Sequence, residues 1–406
     1  MKDVEEFIKE IKNKKLISTY DKPLNVTTQP TKFPKKQYTS AKQLQPVINQ
    51  LLYNAMNDSS LLDLKCNDKM FLILKRIIKA KNRKNAVEFM FLRTDYLLDI
   101  SEKMKMVETN TISCSFVAYG PILNELHGMK HSVEKSDSLE SFVKMVKNCK
   151  KIFSKNYGVQ GSLALMLDNF TDERCSNLQE KLILIKELKK EGVETLHVTE
   201  KDLNYLTFRN NFMYYKNRPV FLLYYRWYYN AEHYSEEFIK LRIRIEQSNT
   251  ISLPSAEAQL IGSKFFQLIF TDEEILRKYI NEQNISDIKS IFTVYKPIEE
   301  YKIGDEDDYL IKSYSEGGNN ILESPNESCF LMKRINSITR YNEFINGQTG
   351  ETIPEVGIFG IFLSFNNLIL INDSAGYICR SKMKESKECG VSCGFGALDS
   401  LELTDE

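Results

Sequence analysis

Net charge is the first thing this chain lacks. Lys+Arg and Asp+Glu both number 55, so the formal charge at neutral pH is zero. Such a balance offers no electrostatic case for nucleic acid as the main partner. Histidine is scarce, at four residues, and the eight cysteines stand scattered with no C-x-x-C pair; only Cys389 and Cys393 come within four positions. A zinc site is therefore not expected, and reduced thiols in a cytoplasmic protein are the simplest account. No apolar run reaches membrane-spanning length, so no membrane association is expected. The N-terminus is charged and amphipathic where a signal peptide would be apolar. Internal repeats and low-complexity blocks are missing as well. What is present in quantity is aromatic: 21 Tyr and 23 Phe supply large core pieces across 406 residues, a length for two or three domains.

Periodicity gives the order of elements. Val4, Phe7, Ile8 and Ile11 fall at helical spacing. Residues 20–39 hold Pro23, Pro30 and Pro34 and predict an extended wrap. Helices are expected around Leu44 to Leu52, Phe71 to Ile78, Leu139 to Phe153, Glu173 to Lys190 and Ser235 to Gln247. Strands are expected from Val87 to Leu92, ending at Arg93, and from Met104 to Val107, ending in Glu108-Thr109-Asn110. Others run from Ser162 to Leu167, Glu194 to Val198 and Val220 to Tyr225, the last ending at Arg226. This middle alternation reads as a small α/β domain. Further strands are expected at Cys329 to Lys333, Val356 to Ser364, Leu368 to Asp373 and Gly376 to Arg380.

One stretch gathers unusual chemistry. Tyr309, Leu310 and Ile311 predict a buried strand closed by Lys312, and Ser313-Tyr-Ser is followed by Glu316, Gly317, Gly318, Asn319 and Asn320. Two glycines let backbone approach a ligand closely, and exposed N–H groups in such a turn form an anion nest. Lysine is a point charge suited to phosphate, and a glutamate is a hard oxygen ligand of the kind Mg²⁺ takes beside phosphates. The stretch is equally consistent with a polar hairpin loop, since Gly-Gly-Asn-Asn is ordinary turn chemistry. Other polar residues also stand directly after apolar runs: Arg93, Glu108 with Asn110, Arg226, Glu355, and Arg380 with Lys382. As a set they provide carboxylates for Mg²⁺, lysines for phosphate and arginines for a carboxylate substrate, arranged at expected strand ends where α/β sites are built.

In order and spacing these stretches resemble eukaryotic glutathione synthetases, of the ATP-grasp class, from about Arg93 to Asp399. The family's K-P-Q-R-E-G-G-G-N-N is matched by Lys312 to Asn320, its E-I-N-T-I-S-A-S-F by Glu108 to Phe116, and its S-E-L-G-I-F-G-V by Pro354 to Ile361. Its L-R-T-K and D-G-G-V-A-A-G are matched by Cys379 to Lys382 and Glu388 to Gly394. The resemblance implies an α/β ATP-grasp body discontinuous in sequence, residues 1–162 and 262–406, with a small substrate-binding domain inserted at 163–261. It implies ATP- and Mg²⁺-dependent ligation of γ-glutamylcysteine to glycine, and a homodimer. On the matched positions it implies Glu108, Asn110 and Glu316 as Mg²⁺ ligands and Lys264 (in I-G-S-K) and Lys312 as phosphate contacts. Gly317, Gly318, Asn319 and Asn320, the segment Met332, Lys333, Arg334 and Ile335, and Glu355, Lys382 and Glu388 would contact nucleotide. Arg93, Ser113, Ser115, Glu173, Gln179, Arg226 and Tyr229 would bind the dipeptide. Val391 and Ser392 would close over the acceptor, with Arg380 stabilising transition-state charge; Arg380, Lys312 and Lys264 form the expected catalytic set. Read alone, Ser113 and Ser115 also suit a strand edge, and Arg226 among Tyr224, Tyr225, Trp227 and Tyr228 also suits a structural cation–π group.

The sequence departs from the family in several places. The glycine loop has one glycine fewer. Leu322 stands for a tyrosine beside the nucleotide, Lys333 for a glutamate, Cys175 for an asparagine, Ser392-Cys393 for Ala-Ala, and Glu388 for aspartate. A related ligase with another acceptor, or a catalytically weak binding relative, are the alternatives these changes leave open.

Overall fold

A computed structural model describes residues 2–18, 21–169, 177–316, 321–386, 390–391 and 394–405. Its centre is an antiparallel sheet with strand order Gly396–Asp399, Leu368–Met383, Thr349–Phe365, Val87–Leu98, Met104–Asn110, and with Arg340–Glu343 paired to Thr349–Phe365. The strand Val87–Leu98 is apolar on both faces because both are covered. Phe89 and Phe91 enter one core; Met90 and Leu92 enter the other. The helix Lys35–Met56 contributes Ile48, Leu51 and Leu52 to the second of these, and Ser138–Tyr157 contributes Phe142, Val146 and Phe153 to the first.

A second sheet is built from residues 163–253. Thr195–Val198, Leu163–Leu167, Arg218–Tyr225 and Ile251–Leu253 run parallel, and the hairpin Leu206–Arg209/Phe212–Tyr215 extends one side. Two-residue turns close its hairpins: Asn210-Asn211 and Lys216-Asn217 all have positive φ, between 47° and 64°. This is the paired left-handed conformation that matches the twist of a tight hairpin, and asparagine tolerates it well. A third, four-stranded sheet has order Tyr295–Pro297, Cys329–Lys333, Tyr309–Ser313, Ile321–Leu322. The N- and C-terminal segments meet in a parallel pair, Thr31–Pro34 with Leu401–Thr404.

The elements agree with the periodicity in kind and depart from it at their ends. The extended wrap stops at Pro34, and residues 35–39 already belong to the helix Lys35–Met56. Arg93 does not end its strand; it lies inside Val87–Leu98, as Glu108 lies inside Met104–Asn110, which Asn110 ends as expected, and Lys312 inside Tyr309–Ser313. Leu368 to Arg380 is not two strands but one, Leu368–Met383, and Glu355 lies within Thr349–Phe365. The hairpin at 206–215 was not anticipated either. The physical reason is common to the charged cases. A charge ends a strand only when it must reach water, and these charges find opposite charges inside the protein, Arg93 on its own strand and the others on neighbouring elements, as described next.

Candidate active site

Sheet register brings the expected residues to one face. Arg93 lies opposite Asn110, Asp95 opposite Glu108 and Gly357, and Glu355 opposite Arg380. Residues two apart share a face, so Arg93 and Asp95 project together. Arg93 donates from Nε to Asp95 Oδ1 at 2.6 Å and from one terminal nitrogen to Asp95 Oδ2 at 2.8 Å. Arg380 donates to the same Oδ2 at 2.9 Å and also to Glu355 Oε1. Asn110 Nδ2 donates at 3.2 Å both to Asp95 Oδ2 and to Glu108 Oε1. Gly357 makes room for this knot, because a Cβ there would stand 2.5 Å from Asp95 Oδ1.

Beside the knot lies a group of two lysines and two glutamates. Lys264 opens the helix Lys264–Ile269 and is 1 % exposed. Its Nζ donates to Glu316 Oε2 at 2.6 Å and to the Ser315 carbonyl at 3.0 Å, and lies 3.5 Å from Glu108 Oε2. Lys312 Nζ approaches the same Glu108 oxygen at 3.9 Å. The preceding turn reaches this position because Gly262 lies against Thr111, whose Oγ1 would be 2.1 Å from an added Cβ. The two carboxylates are driven apart electrically. Burial alone would raise Glu108, but Lys264, Lys312, Asn110 and Arg380 together hold it far below the usual carboxylate range. Burial raises Glu316, which has Lys264 but is repelled by Glu108. Burial likewise lowers Lys312 and raises Glu355. Such opposed shifts on adjacent acids mark a site prepared for incoming charge.

Across the second sheet, Arg226 follows Arg218–Tyr225 and is buried. It donates to the Cys114 carbonyl at 2.6 Å, Tyr224 Oη at 2.9 Å and Ser115 Oγ at 3.0 Å, and lies 3.7 Å from Glu180 Oε2. Its Nε has no hydrogen-bond partner among the described residues. Ser113 Oγ donates to the Arg226 carbonyl at 2.8 Å, and Ser113 adopts φ of 56°. Arg93 also donates to the Ser115 carbonyl at 3.3 Å. The 113–115 turn therefore joins both arginines, so Ser113 and Ser115 are turn residues, not strand-edge residues. Gln179 is half-buried in the first turn of Leu178–Lys190, and Tyr229 packs against Trp227 and His233. Asn230, next along, accepts a hydrogen bond from the Glu316 backbone at 3.1 Å and so ties this loop to the start of the glycine-rich one.

The remaining positions are more dispersed. Met332 is buried with Tyr295 and Phe330, Ile335 packs against that cluster, and Lys333 and Arg334 are exposed. Leu322 pairs with Ile311 and packs in a small apolar cluster with Cys329 and Leu331. Lys382 lies in Leu368–Met383 near Glu355, and Val391 is buried in the core that holds Phe89. Glu173, Gly317, Gly318, Asn319, Asn320, Glu388 and Ser392 fall outside the described residues. Sequence reasoning missed Asp95, Glu180 and Asn230. For Asp95 a signal existed: it stands two residues after Arg93, on the same face of a strand.

The donor set suits a hard cation. Glu108 and Glu316 are both held by Lys264, each side chain is 21 % exposed, and the side-chain amide of Asn110 donates from Nδ2 to Glu108 Oε1. Carboxylate and amide oxygens on the rim of a phosphate site are what Mg²⁺ takes. Among the described residues no group of three His, Cys, Asp or Glu side chains forms a metal-holding cluster.

A family model described as the eukaryotic glutathione synthase ATP-binding domain matches residues 7–403. The chain is similar to the glutathione synthetase large chain of Schizosaccharomyces pombe, 24 % identical with 94 % of this chain and 91 % of that one covered. It is 25 % identical to the chloroplastic glutathione synthetase of Solanum lycopersicum, covering 92 % and 76 %, and 23 % identical to the Xenopus laevis glutathione synthetase, covering 92 % and 89 %. Among solved structures, a glutathione synthetase-like effector from Globodera pallida superposes with a TM-score of 0.80 at 17 % identity, over 100 % of this chain and 97 % of that one; the likeness is one of fold.

Proposed function

The chain belongs to the eukaryotic glutathione synthase family, with the mixed α/β fold of the ATP-grasp class, and we propose that it ligates γ-glutamylcysteine to glycine at the expense of ATP. The observation that carries this reading is the junction at Lys264, where two carboxylates and a second lysine meet beside an arginine pair. In the proposed reaction the dipeptide's terminal carboxylate attacks the γ-phosphorus, ADP leaves, and the glycine amine then displaces phosphate from the acyl phosphate. Phosphoryl transfer asks the protein for positioning and charge neutralisation more than for covalent chemistry.

Lys264 and Lys312 would bind phosphate oxygens, and Arg380 would counter the charge that develops on the transferring group. Arg93 and Arg226, with Ser113, Ser115, Gln179, Tyr229 and Glu173, would orient the dipeptide. The partnerless Arg226 Nε is a donor ready for it. Glu108, Asn110 and Glu316 would hold Mg²⁺, which when bound neutralises phosphate charge. Met332 to Ile335, Gly317 to Asn320, Glu355, Lys382 and Glu388 would contact nucleotide, and Val391 and Ser392 the acceptor end. Residues 163–261 would act as the substrate-binding domain, in a cytoplasmic homodimer. No described helix is long and apolar enough to cross a membrane.

A second reading is favoured by Leu322, whose side chain serves the third sheet's core where the family has a tyrosine beside the nucleotide, together with the shorter glycine loop. That reading is a catalytically weak binding relative, and the fold neighbour carries the description of an effector. ADP release with γ-glutamylcysteine and a panel of glycine, β-alanine and serine separates the cases. Ser392 differs little in size from the family's alanine, so glycine is expected to remain the best acceptor, with discrimination against β-alanine and serine reduced but not reversed; a single methylene is discriminated by only ~1–3 kcal/mol. Preference for another acceptor replaces the product; no ADP release with any acceptor, while ATP still binds, establishes the weak relative.

A further inference from the structure

Asp95 is fully buried and none of the roles above uses it. Its two oxygens accept four hydrogen bonds: two from Arg93, at 2.6 and 2.8 Å, one from Arg380 at 2.9 Å and one from Asn110 at 3.2 Å. Oδ1 takes one of these bonds and Oδ2 the other three. At 0 % exposure Asp95 faces its donors and not an incoming metal ion or substrate. Whatever it does, it does through the three side chains that point at it.

Those three come from three different strands and carry three proposed roles: dipeptide binding, countering of transition-state charge and metal binding. Two of them are guanidinium groups, which repel each other unless an anion lies between. Glu355 supports Arg380 from the other side but does not reach Arg93. Glycine at 357 is what lets the carboxylate sit there, since a Cβ would crowd both Asp95 Oδ1, at 2.5 Å, and Arg93 Cδ, at 2.8 Å. We propose that Asp95 is a positioning residue that clamps Arg93 and Arg380 together as one preassembled receptor for the carboxylate substrate. This rests on the ligase reading above. It adds that the two arginines act as a coupled unit, and that the coupling runs through a residue that never touches ligand.

The test compares the parent with Asp95→Asn, Asp95→Glu, Arg380→Lys and the double variant Asp95→Asn/Arg380→Lys. KM values for dipeptide and ATP come from ADP release, and the dipeptide Kd comes from calorimetry in the presence of a non-hydrolysable ATP analogue. Asp95→Asn is expected to raise the dipeptide KM and Kd at least about tenfold while the ATP KM stays within about twofold. The double variant should be no worse than the poorer single one, because both break the same clamp. Asp95→Glu keeps the charge but shifts it by a methylene, and should fold while showing the same dipeptide-selective loss; it carries the test where the asparagine variant does not fold. Equal rises in both KM values, or strictly additive losses, reduce Asp95 to a structural residue and overturn the proposal. An active parent with unaffected Asp95 variants sinks this proposal alone. A parent that neither releases ADP nor binds the dipeptide sinks the ligase reading and takes the proposal with it. A parent that binds dipeptide without turnover leaves the calorimetric arm to decide.

Discussion

Two of the buried charged groups among the described residues are built differently. One is the candidate site, Lys264, Lys312, Glu108 and Glu316. The other lies between the helices Lys69–Lys81, Glu236–Gln247 and Ala256–Ile261 and the strand that begins at Val87. There Lys81 meets Glu257 at 2.5 Å, and Arg242 meets Glu246 at 2.8 Å, donates to the Pro254 carbonyl and stacks 3.7 Å from the Tyr225 ring. Ser255 and Asn85 donate to Glu88. In this helical group the cations take short, closed contacts and are shut from solvent. In the sheet group Lys264 is shared between Glu316, at 2.6 Å, and Glu108, at 3.5 Å, and Lys312 approaches Glu108 only to 3.9 Å. Burial of charge is thus not the mark of a site. The mark is charges held near one another but not consumed in pairs.

That contrast can be broken by experiment. The largest expected effect is at Glu316. Changing Glu316→Gln should cut ADP release by about 10²–10³-fold, the scale for removing a group that acts on transition-state charge, while the melting temperature stays close to the parent's. Near-normal turnover at ordinary Mg²⁺ would remove Glu316 from the site. The converse variant belongs to the helical group. Arg242→Ala leaves Glu246 buried without its partner and should cost roughly 3–5 kcal/mol in chemical denaturation, with KM values for the folded fraction unchanged. If it instead altered the dipeptide KM selectively, the two groups would not be separable.

The smallest effect sharpens the comparison through pH. Burial and the neighbouring Glu257 push Glu88 up to about 7 from an ordinary 4.5. The folded state then holds a proton that the unfolded chain has released. The resulting stability is fully present below the unfolded pKa and is lost as pH rises through the folded one. The melting temperature should therefore fall between about pH 5 and pH 8, and Glu88→Gln should flatten that slope. A slope unchanged in the variant would assign it to other groups.

The order of helices and strands was legible because both faces of the central strands are covered, so their apolar runs are strong. The family motifs likewise named the residues of the lysine–glutamate group. Strand ends were not legible at Lys312 or Arg380, because each charge is neutralised by a residue far away in sequence, nor at Arg93, whose partner Asp95 lies further along the same strand. Arg380 meets Asp95 across 285 positions and Lys264 meets Glu316 across 52.

The family resemblance, then, was sufficient for the class of fold, and local pattern for the helical and strand alternation and the chemical types gathered near Lys312. They could not say which charges meet. Local propensity acts over a few residues, whereas a buried charge is tolerable only if a partner arrives from elsewhere. Asp95 reads as one more acidic residue in R-T-D until sheet register sets it opposite Gly357 and beneath Arg380. Its role, and the separation of a site whose charges are shared from a core whose charges are paired, exist only once the strands are paired.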